Sequence, residues 1–128
     1  MSGDIGGSGG LTKSEAGTLQ LFGAGSNYTG ATTISLGTLQ LGAAGVIPDG
    51  SAVTVTGTLN VNDKAETFGS LAGGGTVNLG NSTDTVLTVG GDNTTTTYSG
   101  TFSGTANAGD KVVKTGSGTL TLSGNNGS

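Results

Sequence analysis

The 128-residue chain contains no cysteine, no histidine and no arginine. Each absence removes a class of chemistry. Without cysteine there is no disulfide frame and no thiolate metal site. Without histidine the commonest general base is missing, and neither a Ser-His-Asp nor a Cys-His arrangement can be assembled. Four lysines (Lys13, Lys64, Lys111, Lys114) face eight carboxylates, so no basic face exists to neutralise phosphates. Nucleic acid is therefore not expected as a partner. No apolar run approaches the roughly 18 residues of a membrane span. The opening MSGDIGGSGG has neither the basic nor the apolar region of an export signal. Membrane insertion by this segment is not expected, and a secreted parent protein would carry its signal outside this sequence.

Hydrophobic residues make up 31% of the chain and aromatics 4%, too little to fill a large globular core. Disorder is an equally poor fit, because charged residues are only 9% and threonine and valine are plentiful. The 28 glycines follow no every-third-residue period, which excludes collagen. What remains is an ordered architecture of many short strands and tight turns.

What the sequence does contain is a repeat. GTLQL stands at 17–21 and again at 37–41, followed by GTLNV at 57–61, GTVNL at 75–79, GTFSG at 100–104 and GTLTL at 118–122. Each unit alternates apolar and polar residues, which on a strand puts the two apolar side chains on one face. Helices are disfavoured, since no stretch of helical length shows a 3.6-residue period free of glycine. Repetition at about twenty residues is the mark of a solenoid, in which each unit buries its apolar face only by stacking on its neighbours.

Aligning the six units predicts columns. One inward column reads Leu19, Leu39, Leu59, Val77, Phe102, Leu120; the second reads Leu21, Leu41, Val61, Leu79, Gly104, Leu122. Outward lie the threonines 18, 38, 58, 76, 101 and 119 and a polar ladder of Gln20, Gln40, Asn60 and Asn78, continued by Ser103 and Thr121. Such columns suit parallel in-register strands, whose amides and hydroxyls can ladder. Secondary strands are expected at TTIS 32–35, AVTVT 52–56, TFGSL 67–71, TVLTV 85–89 and KVVK 111–114, with glycine, Asn-Asp and Pro-Asp-Gly turns between them. The predicted fold is all-β, a right-handed single-stranded parallel β-helix of about six coils of roughly 20 residues each.

Residues 1–10 read as a Gly/Ser-rich lead or end coil, and 11–128 as one period of a longer array, with Met1 and Ser2 an expression start. LTKSEAGTLQLFG at 11–23 matches VVKTGSGTLTLSG at 112–124, so the chain is expected to begin and end at nearly the same phase of a unit of about one hundred residues. The 25-residue step from Gly75 to Gly100 marks an irregular coil at about 81–110, where DNTTTTYSG is expected to form a longer turn or an extra short strand.

Residues for catalysis are sparse. The acids are Asp4, Glu15, Asp49, Asp63, Glu66, Asp84, Asp92 and Asp110, and on the coil alignment no two share a column on adjacent coils. Asp63 and Glu66, flanking Lys64, are a close pair that reads as a solvated turn. The glycine/aspartate nonapeptide of calcium β-rolls is absent, leaving only adventitious oxygen sites at Asp84 or Asp92. GGGT at 73–76 is followed by a strand where a phosphate loop needs a helix. Three Asn-x-Thr/Ser-type triplets begin at Asn27, Asn81 and Asn93, as expected by chance in so Thr-rich a chain. No catalytic, cofactor-binding or metal residue is assigned, and no cofactor is expected.

GLTKSEAGTLQLFGAGSNYTGATTISLGTLQLG at 10–42 resembles the passenger-associated repeat of bacterial autotransporters: a lysine-containing lead, a GTL-polar-L strand, an Asn/Tyr-Thr-Gly turn, a threonine-rich strand and a second GTL-polar-L. The stretch at 42–80 resembles the segment C-terminal to that repeat in such arrays, and KTGSGTLTLSGNN at 114–126 resembles the start of the next copy. Glu15 and Phe22 stand where the repeat usually carries small residues. The resemblance implies a β-helical stalk on the bacterial cell surface, in an outer-membrane-anchored parent whose translocator lies outside this sequence, and a role in passenger export. Its partners would be flanking repeats of the same chain. Two alternatives remain: an adhesin-type module binding a host or cell-surface ligand through the irregular coil, and a module stacking head to tail into fibres.

Overall fold

The computed structural model describes residues 1–104 and 107–125. Thr105 and Ala106 of the irregular coil and the last residues of the second repeat copy, 126–128, lie outside them. The chain is all-β, with parallel strands stacked as a β-solenoid of about 5 turns and roughly 21 residues per turn. Fourteen strands are described: β1 Leu11–Lys13, β2 Thr18–Leu21, β3 Thr32–Ile34, β4 Thr38–Leu41, β5 Ala52–Val55, β6 Thr58–Asn60, β7 Glu66–Phe68, β8 Ser70–Ala72, β9 Thr76–Asn78, β10 Val86–Val89, β11 Thr96–Tyr98, β12 Thr101–Ser103, β13 Lys111–Lys114 and β14 Leu120–Leu122.

These strands form three faces. The first carries β1-β3-β5-β8, extended by a bridge from Gly73 to Tyr98 into β11-β14; the second carries β2-β4-β6-β9-β12; the third carries β7-β10-β13. The second face comes directly from the repeat. Thr18, Thr38, Thr58, Thr76 and Thr101 lie in register, as do Leu19, Leu39, Leu59, Val77 and Phe102 and the series Gln20, Gln40, Asn60, Asn78, Ser103. Each strand turns alternate side chains inward, and the flanking coils cover them above and below.

The glycine that opens most units has a steric reason. A Cβ on Gly57 would stand 2.6 Å from the Gly37 carbonyl oxygen, one on Gly75 2.1 Å from that of Gly57, and one on Gly100 2.0 Å from that of Gly75. The corners of successive coils touch backbone to backbone, and a side chain there would force them apart.

Two features depart from the sequence expectation, and a third, the extra short strand β11 in the irregular coil, is one of the two forms expected there. TFGSL is not one strand but two, β7 and β8, on different faces with Gly69 as the corner. The irregular coil gains β11, which uses part of the long step between Gly75 and Gly100 to continue the first face. The sixth unit then leaves the second face: Leu120, Thr121 and Leu122 pair with Thr96, Thr97 and Tyr98, not with Phe102 and its neighbours. Leu120 and Leu122 thus do not extend the columns assigned to them.

The core is a single apolar column. Ile34, Leu39, Leu41, Val55, Leu59, Val61, Phe68, Leu71, Val77 and Leu87 are fully buried, with Leu21 and Leu79 at 2% exposure. Leu19, Phe102 and Leu120 pack against it while partly exposed, and Leu122 is exposed.

Candidate functional site

Two regions carry the polar chemistry of the molecule. One is the outer surface of the second face, where the threonine and Gln/Asn columns stand half-exposed in register. Among the described residues no hydrogen bond joins the amides of Gln20, Gln40 and Asn60, and Asn78 Oδ1 turns aside to accept the Gly80 N–H at 2.9 Å. The columns share a register without forming an amide ladder.

The second region is the third face at the level of the first two coils. There the chain runs through 24–29 and 45–51 without a strand, leaving an open cleft of about 470 Å³ lined by residues including Tyr28, Ile47, Pro48 and Asp49. Behind it the Tyr28 hydroxyl bonds Thr32 Oγ1 at 2.7 Å, Thr32 Oγ1 bonds Ser51 Oγ at 2.8 Å, and Ser51 Oγ donates to the Gly30 carbonyl at 2.9 Å. Burial pushes the Tyr28 phenol above its ordinary range. This chain of hydroxyls is committed to bonds inside the protein and ties the floor of one coil to the next.

The acids are spread along the solenoid, and most of them join coils. Asp4 Oδ1 accepts the Gly25 N–H at 3.0 Å, Asp84 Oδ1 that of Gly109 at 3.1 Å, and Asp110 Oδ1 that of Thr85 at 2.8 Å. Asp63 Oδ1 accepts from Ser82 at 2.9 Å and Thr83 at 3.2 Å, and these two backbone donors hold its carboxyl below the usual range. Asn93 Oδ1 does the same for Ser117 at 2.9 Å. Each bond spans about one turn, so turn residues that look like loose carboxylates in the sequence are staples between coils. Among the described residues no group of three or more His, Cys, Asp or Glu could hold a metal ion.

Glu66 overturns the reading of the Asp63–Glu66 segment as a solvated turn. Asn62 and Asp63 do form a left-handed turn, with φ of 57° and 60°, but Glu66 begins β7 with its side chain turned inward at 2% exposure. Its Oε2 accepts the Val46 N–H at 3.0 Å and its Oε1 the Thr67 N–H at 3.3 Å. Burial pushes the carboxyl up to about 7, against the pull of the Val46, Ile47 and Thr67 N–H groups. Sequence reasoning missed it because its burial depends on the 45–51 turn folding over it from another coil.

Tyr98, the second tyrosine, closes over the corner at Gly100. Its hydroxyl donates towards the carbonyls of Gly75 at 3.0 Å and Thr101 at 2.8 Å, and its ring leans on Phe102 with centroids 5.2 Å apart. Burial pushes its phenol up to about 12.

The lysine of the repeat has a local task. Lys13 is 9% exposed, and its Nζ donates to the Glu15 carbonyl and to that of Leu36 at 3.3 Å, collecting corner carbonyls from two coils. Lys114, the matching lysine of the second copy, donates to the Thr115 carbonyl in the same way.

No curated protein and no solved structure matches the chain. A family model described as a passenger-associated-transport-repeat matches residues 11–41 and again 112–127. The intervening 42–111 carries no such match, although it continues the same faces. The β-solenoid therefore matches the passenger-associated transport repeat of autotransporter passengers over two stretches, one in its first two coils and one beginning within β13.

Proposed function

We propose that this chain is a structural stalk segment of a secreted, surface-displayed autotransporter passenger, and that its folding outside the cell supports export. The repeat and the solenoid suit a structural segment of such a passenger. The observation that carries the export role is the second face, where five strands from β2 to β12 pair in one register. A folded coil presents a complete row of backbone donors and acceptors, an apolar column end and a staple acceptor to the next stretch of chain. Each coil can therefore template its successor, and stability grows by nearest-neighbour increments. Coils that form outside the membrane oppose return of the chain through it.

The reaction is physical, with hydrogen bonds and apolar burial as its driving force. The test is surface display of the full passenger carrying Leu39→Asp and Leu59→Asp, which place charges in the buried column. Display that falls relative to an outward control, Thr38→Asp with Thr58→Asp, supports the reading. Equal display of both variants and the unmodified passenger sinks it.

A further inference from the structure

The third face is held in two different ways. From β7 downward it is a parallel ladder, in which Glu66, Thr67 and Phe68 pair with Leu87, Thr88 and Val89, and these with Val112, Val113 and Lys114. Above β7 there is no strand among the described residues. Val46 and Ile47 are buried at 1% exposure, but at this end of the turn the backbone bond to the β7 segment is a long one, Gly45 N–H to the Ala65 carbonyl at 3.4 Å, and the next backbone tie comes only at Ser51, whose carbonyl accepts the Gly69 N–H at 2.8 Å. The Glu66 side chain replaces the missing ladder by accepting the N–H groups of Val46 and Ile47.

Among the described residues the surroundings of that carboxyl hold no compensating cation. The 45–51 turn brings Asp49, the 24–29 loop brings Tyr28, and β10 brings Leu87 opposite Glu66. Lys64 and Asp63 stand on the segment leading into β7. None of the other elements packed against Glu66 contains a lysine.

We propose that Glu66 is a proton-operated latch: as the neutral acid it holds the 45–51 turn on the edge of β7, and on ionisation it lets that turn lift away so that water reaches the carboxylate. The direction comes from linkage. Burial raises the carboxyl above its ordinary value to about 7 in the closed state, so the closed state binds the proton more tightly than an open, hydrated one. The stabilisation is fully present below the ordinary glutamate value and is lost as pH rises through about 7. The 45–51 turn is also one wall of the cleft, so opening the latch reshapes the only stretch of this face that lacks strands among the described residues.

The test is amide hydrogen exchange of the whole chain, monitored by NMR and expressed as protection factors so that base catalysis is removed. Protection at Val46 and Ile47 is expected to fall on the order of tenfold or more between about pH 5.5 and about pH 8.5, while Leu87 and Val55 hold theirs. In Glu66→Gln, which cannot ionise, the fall should vanish. Unchanged protection in the natural chain, or the same fall in Glu66→Gln, overturns the latch. If Glu66→Gln does not fold, carboxyl ¹³C titration of the natural chain decides instead. A Glu66 midpoint above about 5.5 that the fall in Val46 and Ile47 protection shares supports the latch; a midpoint at or below it, or a protection profile that does not follow it, refutes it.

Discussion

The two copies of the repeat share a sequence pattern and differ in where it lies. In the first copy Lys13 ends β1 on the first face and TLQL forms β2 on the second. In the second copy Lys114 ends β13 on the third face and LTL forms β14 on the first. The matches start at 11 and 112, and at roughly 21 residues per turn that spacing is not a whole number of turns. A sequence unit of about one hundred residues therefore does not return to the same face of the solenoid. What the repeat encodes is a strand, a lysine-capped corner and a second strand. Which face they occupy depends on how many residues the preceding coils consume, and β11 consumes some of the long step in the irregular coil.

Burial separates the copies further. Leu21 pairs with Leu41 and is covered, whereas Leu122 pairs with Tyr98 and is exposed. The largest expected effect tests this directly. Leu39→Ala, in the middle of the covered stack, should cost about 3 kcal/mol by thermal or urea denaturation, and Leu122→Ala less than about 1 kcal/mol. Equal costs would mean that the second copy is covered after all.

The third face gives the next contrast, since it is a ladder where the second copy begins and, at the level of the first, a turn joined to β7 by the Glu66 side chain. The natural chain should gain up to about 3 kcal/mol of stability on acidification from about pH 9 to about pH 4, less whatever exposed acids lose, because the Glu66 carboxyl titrates near 7 when folded and near its ordinary value when unfolded. Glu66→Gln should flatten that part of the profile, read from denaturation midpoints across pH. Tyr98→Phe comes third, with an expected loss of about 1–2 kcal/mol, because the Gly75 and Thr101 carbonyls lose their shared donor. Since Tyr98 is also the partner of Leu122, that variant should loosen β14 first, visible as faster amide exchange there. The smallest effects compare the two lysines. Lys13→Met should cost about 1 kcal/mol and Lys114→Met within about 0.5 kcal/mol, since Lys13 is buried and also reaches the Leu36 carbonyl, whereas Lys114 is exposed.

Much of the second face was legible in the sequence. GT-apolar-polar-apolar repeated every 18 to 20 residues through Gly75 sets the register of β2, β4, β6 and β9, because a one-residue slip would turn Leu39 and Leu59 outward. The candidate site was far less legible. TFGSL has the alternation of one strand, and its division at Gly69 reflects the Gly50 carbonyl oxygen lying 2.7 Å from where a Cβ would stand. Glu66 looks like its neighbours Asp63 and Lys64 in composition, and only the fold distinguishes a solvated acid from an enclosed one.

The sequence by itself determined that the chain is a stack of short strands, which residues face inward on most of the second face, and that glycine stands at the corners. These are local or nearest-neighbour properties: alternation fixes the facing, and the repeat length fixes the stacking. Tertiary structure alone decided that the sixth unit moves to the first face, that the turn acids staple successive coils, and that Glu66 is buried without a cation. Each depends on segments about one turn or more apart meeting across the solenoid, and no local pattern encodes which side chain the neighbouring coil will cover.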